Sequence, residues 1–380
     1  MTERAWITGY IESKSKPAGF GVLLRPAAKR RIPVVSNRLS QADRLGGWKA
    51  RWDIGRNDYR VEPGLYASGG PDRDSPVLVT ANYKLTFDTV RKELAGLDVW
   101  LLVLDTKSVN VWCAAGKGTF GTAELIGRIA SERLAELVSH RTVVLPQLGA
   151  SGVAAHEVLA ASGFRVVYGP VRAADIPAFL AGGMKKDDRM RRVEFRLRDR
   201  MAVAPVELAH ALPFLAAAVL ASALLAFLPA AGVAGGGGAG GAGGGGGVGG
   251  WVSADILSGF WLWTVLLASP VLVGTLLFPA LLPWLPFKAF AAKGALLGLC
   301  WSAAAALLAG LGAWNGSAFV LVATSLVAFI AMNFTGASTY TNQTGAALEV
   351  KIALPAQVAA AAVGLAIAGV RLAGALIQGA

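Results

Sequence analysis

The chain has 380 residues, a formal net charge of +12 and a mean hydropathy of +0.52, but neither charge nor hydropathy is spread evenly. Residues 1–205 hold 32 of the 36 Lys and Arg and 21 of the 24 Asp and Glu, a net of +11, whereas residues 206–380 hold only seven charged residues. Two cysteines, Cys113 and Cys300, exclude a disulfide framework and also an iron–sulfur cluster held by this chain alone, which needs four thiolates.

The composition divides the chain into a polar domain, 1–205, and a membrane domain, 206–380. Residues 1–76 are rich in Arg, Gly and Pro and show no clear period; their first thirty contain no apolar run of the kind that opens a secretory signal. From residue 77 onward, β-rich runs alternate with helical patterns. Strands are expected at Val77–Thr80, Val99–Leu104, Thr142–Leu145 and Arg165–Tyr168, and helices at Thr86–Leu97, Thr122–Val138, Val153–Ser162 and Ala174–Leu180. Such alternation implies parallel strands with crossover helices, an α/β Rossmann-like domain that binds ligands at the carboxyl ends of its strands.

The segment 105–121, between the second strand and the next helix, carries the candidate chemistry. Gly116, Gly118 and Gly121 have the G-x-G-x-x-G spacing, but a dinucleotide turn follows its strand at once, and here eleven residues intervene. A phosphate loop fails too, because Val111 stands at its first Gly and Gly118 at its Ser/Thr. What remains is a single cysteine among small residues. Asn110 is placed to cap a short helix whose first turn contains Cys113, with Lys117 four residues on; a helix N-terminus and a nearby cation both favour a thiolate. Ala114, Ala115 and Gly116 leave room for a bulky planar group. The pattern points to a metal-ligating or nucleophilic Cys without naming the metal.

Five apolar stretches, at roughly 207–228, 256–282, 294–314, 316–334 and 353–377, have about the 20 residues that cross a bilayer. The basic run from Lys185 to Arg200 directly precedes the first, Lys288 and Lys293 occupy the second loop, and Lys351 the fourth. That asymmetry predicts a multi-pass protein of the cell's inner (plasma) membrane with a cytoplasmic N-terminal domain. It also makes the basic run topogenic, so no nucleic-acid partner is expected. Residues 232–250 are Gly-rich and are expected to form a flexible outside loop. Cys300, mid-span beside Trp301, reads as a small apolar filler.

Asn110-Val111-Trp112-Cys113-Ala114-Ala115-Gly116-Lys117 resembles the hallmark motif of the mercury-methylating corrinoid proteins. The order of a cytoplasmic α/β domain followed by five spans resembles that family too. Segments 145–157 and 168–177 resemble parts shared with the corrinoid iron–sulfur proteins of acetyl-CoA synthesis. The likeness covers roughly residues 60–205 and the membrane half, and the Gly-rich loop departs from it.

The resemblance implies a corrinoid-binding domain followed by an all-α five-helix transmembrane domain. Its cofactor would be a base-off, cobalamin-type corrinoid with Cys113 as the lower axial cobalt ligand. Asn110, Val111, Trp112, Ala114, Ala115, Gly116, Lys117, Gly118 and Thr119 would shape that contact, with Gln147, Gly149, Gly152, Tyr168, Gly169 and Pro170 as further cofactor-binding positions. The alternative corrinoid pattern D-x-H-x-x-G is absent, since His140, His156 and His210 follow Val138, Ala154 and Leu208.

The implied reaction is transfer of a methyl group from cobalt to Hg(II), giving methylmercury. Hg(II) is an electrophile, so the methyl group must leave with electrons, and a donating thiolate favours that. A ferredoxin-like partner with [4Fe-4S] clusters would supply reducing equivalents, and a methyltetrahydrofolate-linked donor the methyl group. Two other functions fit less well: a membrane-bound corrinoid methyl carrier for acetyl-CoA-type one-carbon metabolism, and a transporter or metal sensor. The second is disfavoured because the spans contain few ionisable groups.

Overall fold

The structure, a computed structural model, describes residues 10–11, 32–226, 254–337 and 343–378. The Gly-rich stretch 232–250 lies outside the described residues. The chain divides into two compact units, Met1–Glu194 and Phe195–Ala380.

The first unit contains strands β1 (Tyr10–Ile11), β2 (Val34–Val35), β3 (Gly64–Ser68), β4 (Val77–Ala81), β5 (Val99–Leu104), β6 (Thr142–Leu145) and β7 (Arg165–Tyr168), in one sheet of order β1-β2-β3-β5-β4-β6-β7. Its helices are α1 (Gln41–Arg51), α2 (Lys84–Lys92), α3 (Val111–Lys117), α4 (Thr122–Ser131), α5 (Leu134–Leu137), α6 (Ala155–Ser162), α7 (Ile176–Ala181) and α8 (Asp188–Arg191). Strands β5, β4, β6 and β7 run parallel, as the alternation implied. The sheet as a whole is mixed, because β3 pairs antiparallel to β5 and β1 antiparallel to β2. The chain between β3 and β4 is too short for the dozen or more residues of a parallel crossover, so β3 runs opposite to β5 and β4, while β2 beyond it pairs parallel to β3.

Both faces of the parallel strands are covered. Val77, Val79, Leu102, Leu104, Val143 and Leu145 pack with Ala114, Ala115, Leu125, Ile129 and Val158 on one side. Leu78, Leu101, Val103 and Val144 pack with Phe87, Leu94 and Phe179 on the other. Coverage on two sides explains why β5 is six consecutive buried apolar residues rather than an alternating strand. From β4 the chain crosses through α2 to β5 on one side, then from β5 through α4 to β6 on the other side of β4. The strand order therefore reverses between β4 and β6, and ligands of open parallel sheets bind outside the carboxyl ends at such a point.

One expected helix breaks. The pattern 122–138 is split by Arg133 in the left-handed region (φ +50°) into α4 and α5. Leu125 and Ile129 share a helical face, but Leu134, five residues further on, would be turned well away from it. The left-handed residue re-aims Leu134 into the core, where it is fully buried.

Helix α1 lies in the region without readable periodicity. Ser40 and Asp43 form its capping box, each side chain accepting from the other's backbone N–H. Its inward face docks through charge. Lys84 Nζ lies 2.6 Å from Asp43 Oδ1 and 2.7 Å from Asp88 Oδ2, while Arg91 reaches Asp43 Oδ2 at 2.9 Å and Asp88 Oδ1 at 2.7 Å. Two acids and two bases thus close a ring with all four side chains buried. Tyr59 donates to Asp43 O and Asp88 Oδ2; burial, then those two carboxylates, push its phenol well above the ordinary tyrosine range. Such a ring contributes little over an apolar contact but is costly to break, because a survivor is left charged and unpaired.

The second unit begins with α9 (Leu197–Met201) and α10 (Ala204–Ala226), followed by α11 (Ala254–Leu272), a π-helical turn at Val273–Leu277, α12 (Phe278–Leu281), α13 (Phe290–Leu308), α14 (Ala313–Asn333) and α15 (Gln343–Gln378). Five of its helical stretches, within 197–226, 257–281, 290–308, 313–333 and 345–374, are long and apolar enough to cross a membrane. Outward side chains such as Phe214, Leu224, Leu307 and Leu308 are highly exposed, as a lipid-facing surface requires. Helices α13 and α14 approach closely at Gly294 and Gly298: a Cβ on Gly294 would lie 2.5 Å from Ala331 Cβ, and one on Gly298 2.9 Å from Val327 Cβ. This is the small-xxx-small contact that holds apolar helices together without a hydrophobic driving force. Two buried cations satisfy free carbonyls at helix ends. Arg200 donates to Pro279 O, Ala280 O and Phe195 O, and Lys293 to Leu282 O.

Replacing Lys84 by Met should loosen α1 by about 3–5 kcal/mol, the cost of breaking a buried pair. It should be read as faster hydrogen exchange across residues 41–51 with the central strands unchanged; unaltered exchange would assign the ring no role in docking α1.

Candidate functional site

Because β4, β5, β6 and β7 are parallel, their carboxyl ends lie along one edge of the sheet. The loop leaving β5 is tied there by Asn82, which follows β4 and is fully buried. Its Oδ1 accepts from Thr106 N at 3.0 Å, Thr106 Oγ1 at 2.9 Å and Ser108 N at 3.2 Å, and its Nδ2 donates to Asp105 Oδ1 at 3.1 Å. Lys107 and Ser108 are both left-handed (φ +57° and +61°), a consecutive strain that these bonds hold in place. Glu124 Oε1, on α4, accepts from Asp105 N at 2.9 Å. Burial alone would raise the Asp105 carboxyl, but its bonds from Lys107 and Asn82 bring it below the usual range.

The loop ends in Asn110, the N-cap of α3 as its spacing predicts. Asn110 Oδ1 accepts from Cys113 N at 3.0 Å, and its Nδ2 lies 3.5 Å from Cys113 Sγ as donor. One carboxamide therefore fixes both the helix start and the thiol. Helix α3 turns Val111, Ala114 and Ala115 into the core and leaves Trp112 and Cys113 half-buried on its flank, with Gly116, Lys117 and Gly118 exposed. Gly118 ends the helix in the left-handed region (φ +79°), which returns N–H groups to Ala114 O and Ala115 O. Thr119 N also donates to Ala114 O at 2.9 Å.

The downstream residues sit behind and beside this helix. A Cβ on Gly152 would lie 2.2 Å from Phe120 O and 2.9 Å from Ala115 Cα, and one on Gly149 2.5 Å from the Phe120 ring. Both glycines thus give up their side-chain space to α3 and the turn after it. Gly169 likewise packs on Val144, 3.0 Å from a would-be Cβ. Gln147 N donates to Pro170 O, Gln147 Oε1 accepts from Lys186 Nζ, and Tyr168 OH donates to Val153 O at 2.8 Å. Burial pushes the Tyr168 phenol up, so it remains a donor.

Among the described residues no three His, Cys, Asp or Glu side chains gather to hold a metal ion. A single half-buried thiol is a poor cage for a bare ion. It does suit a metal whose remaining ligands arrive with it, as in a macrocycle needing one axial protein atom. The buried Ser108 Oγ, without a hydrogen-bond partner, adds a spare polar contact in the loop before α3. The residues present fit a corrinoid in this sense. The sequence reading missed Asn82 and Ser108; the only local sign was a polar residue directly after the buried run Val77–Ala81.

Residues 54–180 match the family model described as CO dehydrogenase/acetyl-CoA synthase delta subunit. Similar curated proteins are named acetyl-CoA decarbonylase/synthase complex subunit gamma. The protein of Methanopyrus kandleri is 38% identical over 128 residues, covering 33% of this chain and 27% of the relative. That of Archaeoglobus fulgidus is 35% identical over 127 residues, with the same coverage. That of Methanocaldococcus jannaschii is 44% identical over 100 residues, covering 25% and 20%. The chain thus spans only about 27% of the length of the first two relatives, and the family model and the relatives are named for different subunits.

Replacing Asn110 by Ala should cost α3 about 1 kcal/mol and speed alkylation of Cys113. Ser at the same position keeps the cap while removing the amide donor, so it should speed alkylation with little loss of stability. Gly152→Ala should cost about 1–3 kcal/mol by overpacking. Denaturant midpoints and iodoacetamide rates measure these effects, and equal rates for wild type and Asn110→Ser would show that the amide does not guard the sulfur.

Proposed function

We propose that this chain is a membrane-anchored, corrinoid-dependent methyltransferase, with Cys113 as the protein's ligand beneath the ring and Hg(II) as methyl acceptor. The carrying observation is the Asn110–Cys113 unit: a thiol held by its own helix cap at the carboxyl edge of parallel strands, with no group of three metal-ligating side chains among the described residues. A bound corrinoid supplies a cobalt atom able to accept a methyl group and pass it on. Asn110 would orient the sulfur, and Trp112 and the exposed Gly116–Gly118 turn would border the ring. Asn82 would keep the loop before α3 from yielding when the site fills.

The resemblance of residues 110–117 to the mercury-methylating family supports Hg(II) as acceptor. A second reading, a methyl carrier for acetyl-CoA-type metabolism, is favoured by the names of the relatives matched over the α/β region. Both readings share the cofactor and Cys113; they differ in acceptor. With two free cysteines and no cluster of ligands among the described residues, the chain would draw its electrons from a ferredoxin-like partner. A methyltetrahydrofolate-linked donor would charge the cofactor, and the polar domain would face the cytoplasm.

Cys113→Ala should abolish methyl transfer while the protein still inserts into membranes. The visible spectrum of cobalamin added to the full chain should shift relative to the free base-off form, and lose that shift in the variant. Parallel assays with Hg(II) and with the acetyl-CoA-forming acceptor system decide between the readings. Product from the carbon acceptor alone would make this a one-carbon carrier, and full activity of Cys113→Ala toward both would remove the thiol from either.

A further inference from the structure

Helix α1 is built inside out for the surface of a soluble unit. Its inward face is Asp43, Gly47 and Ala50, held by the ion ring with Lys84, Asp88 and Arg91. Its outward face carries Leu45 and Trp48, each 54% exposed, and Trp52, whose ring centroid lies 6.0 Å from that of Trp48. Ile54, 55% exposed, follows directly. At 100° per residue, Arg44 and Arg51 border this apolar stripe on one side and Lys49 on the other, all three exposed. A helix on a water-facing surface has the reverse polarity, apolar within and charged without.

The exposure is concentrated here. Of four strongly exposed large hydrophobic side chains in the described part of the first unit, three are Leu45, Trp48 and Ile54; the fourth is Leu159 on α6. Three basic side chains of the helix, Arg44, Lys49 and Arg51, rim the patch, and the acidic Asp53 and Asp58 lie beyond the helix end.

We propose that α1 is an in-plane lipid-docking helix. Leu45, Trp48 and Trp52 would enter the boundary between headgroups and acyl chains, while Arg44, Lys49 and Arg51 meet anionic headgroups. The composition argues for lipid: Trp and Leu flanked by Lys and Arg is what membrane interfaces select, and the charge complements an anionic leaflet. Covalent connection argues the same way. The first apolar helical stretch begins at Leu197, directly after Glu194 closes the first unit, so the chain itself keeps a bilayer at high local concentration. The buried ion ring makes the helix a rigid foot, so that docking holds the sheet and its thiol near the bilayer surface. The inference does not depend on which methyl acceptor is used.

The test uses the full chain in lipid nanodiscs, with a spin label on Leu45→Cys in a Cys113→Ala, Cys300→Ala background and a control label on Glu136→Cys, an exposed position of α5. Circular dichroism checks that each variant keeps its fold. In phosphatidylglycerol-rich discs, the label at 45 should be relaxed by dissolved oxygen and shielded from a water-soluble nickel chelate, with the control showing the opposite. Arg44→Glu and Lys49→Glu should each lower the docked-to-free ratio by about fivefold or more, and pure phosphatidylcholine should lower it as well. Nickel accessibility at 45 equal to the control in the anionic discs overturns the proposal. So does shielding that appears only when a ferredoxin-like protein is added, which would make the patch a protein interface.

Discussion

The Asn82 carboxamide ties the end of β4 to the loop that leaves β5, and the position of the thiol depends on that tie. Three donors converge on one oxygen, and its nitrogen holds Asp105. The loop between carries two consecutive left-handed residues, a conformation that does not persist without such support. Released from Asn82, the loop would relax, Asn110 would lose its place as N-cap, and the Cys113 sulfur would move with the helix. Gly152 acts from the opposite side: because it lacks a Cβ, the backbone after β6 presses against Ala115. A fixed position for the sulfur is therefore obtained from a seven-residue helix that would not be stable alone.

Charge is used in the same way in both units, placed where burial makes pairing obligatory. The ring of Asp43, Lys84, Asp88 and Arg91 is neutral overall and fully enclosed, and it orients α1 more than it stabilises the fold. Among the apolar helices, Arg200 and Lys293 meet backbone carbonyls that the ends of helical segments leave open. These cations lie in or beside helices whose packing otherwise depends on small residues such as Gly294 and Gly298.

An inverted α1 gives the first unit an apolar, basic-rimmed outer surface, and the second unit carries five helices long and apolar enough to cross a membrane. With α1 docked as proposed, the proposed methyl-transfer site would work at the membrane surface rather than free in solution. Its donor, electron source and acceptor would have to meet it there.

The sequence by itself determined the parallel strands from β4 to β7, because strands covered on both faces read as unbroken apolar runs. It determined the five apolar helices by their length, and the Asn110–Cys113 cap by its three-residue spacing. It did not reveal α1, whose buried face is Asp43, Gly47 and Ala50 and whose exposed face is apolar, so that no hydrophobic period marks it. Nor did it reveal β3, whose five buried residues have a direction set only by its pairing with β5. Tertiary structure alone brought Asn82 to the loop of the thiol and Gly152 to the back of its helix. These contacts join residues far apart in the chain, and only the strand order decides which of them meet.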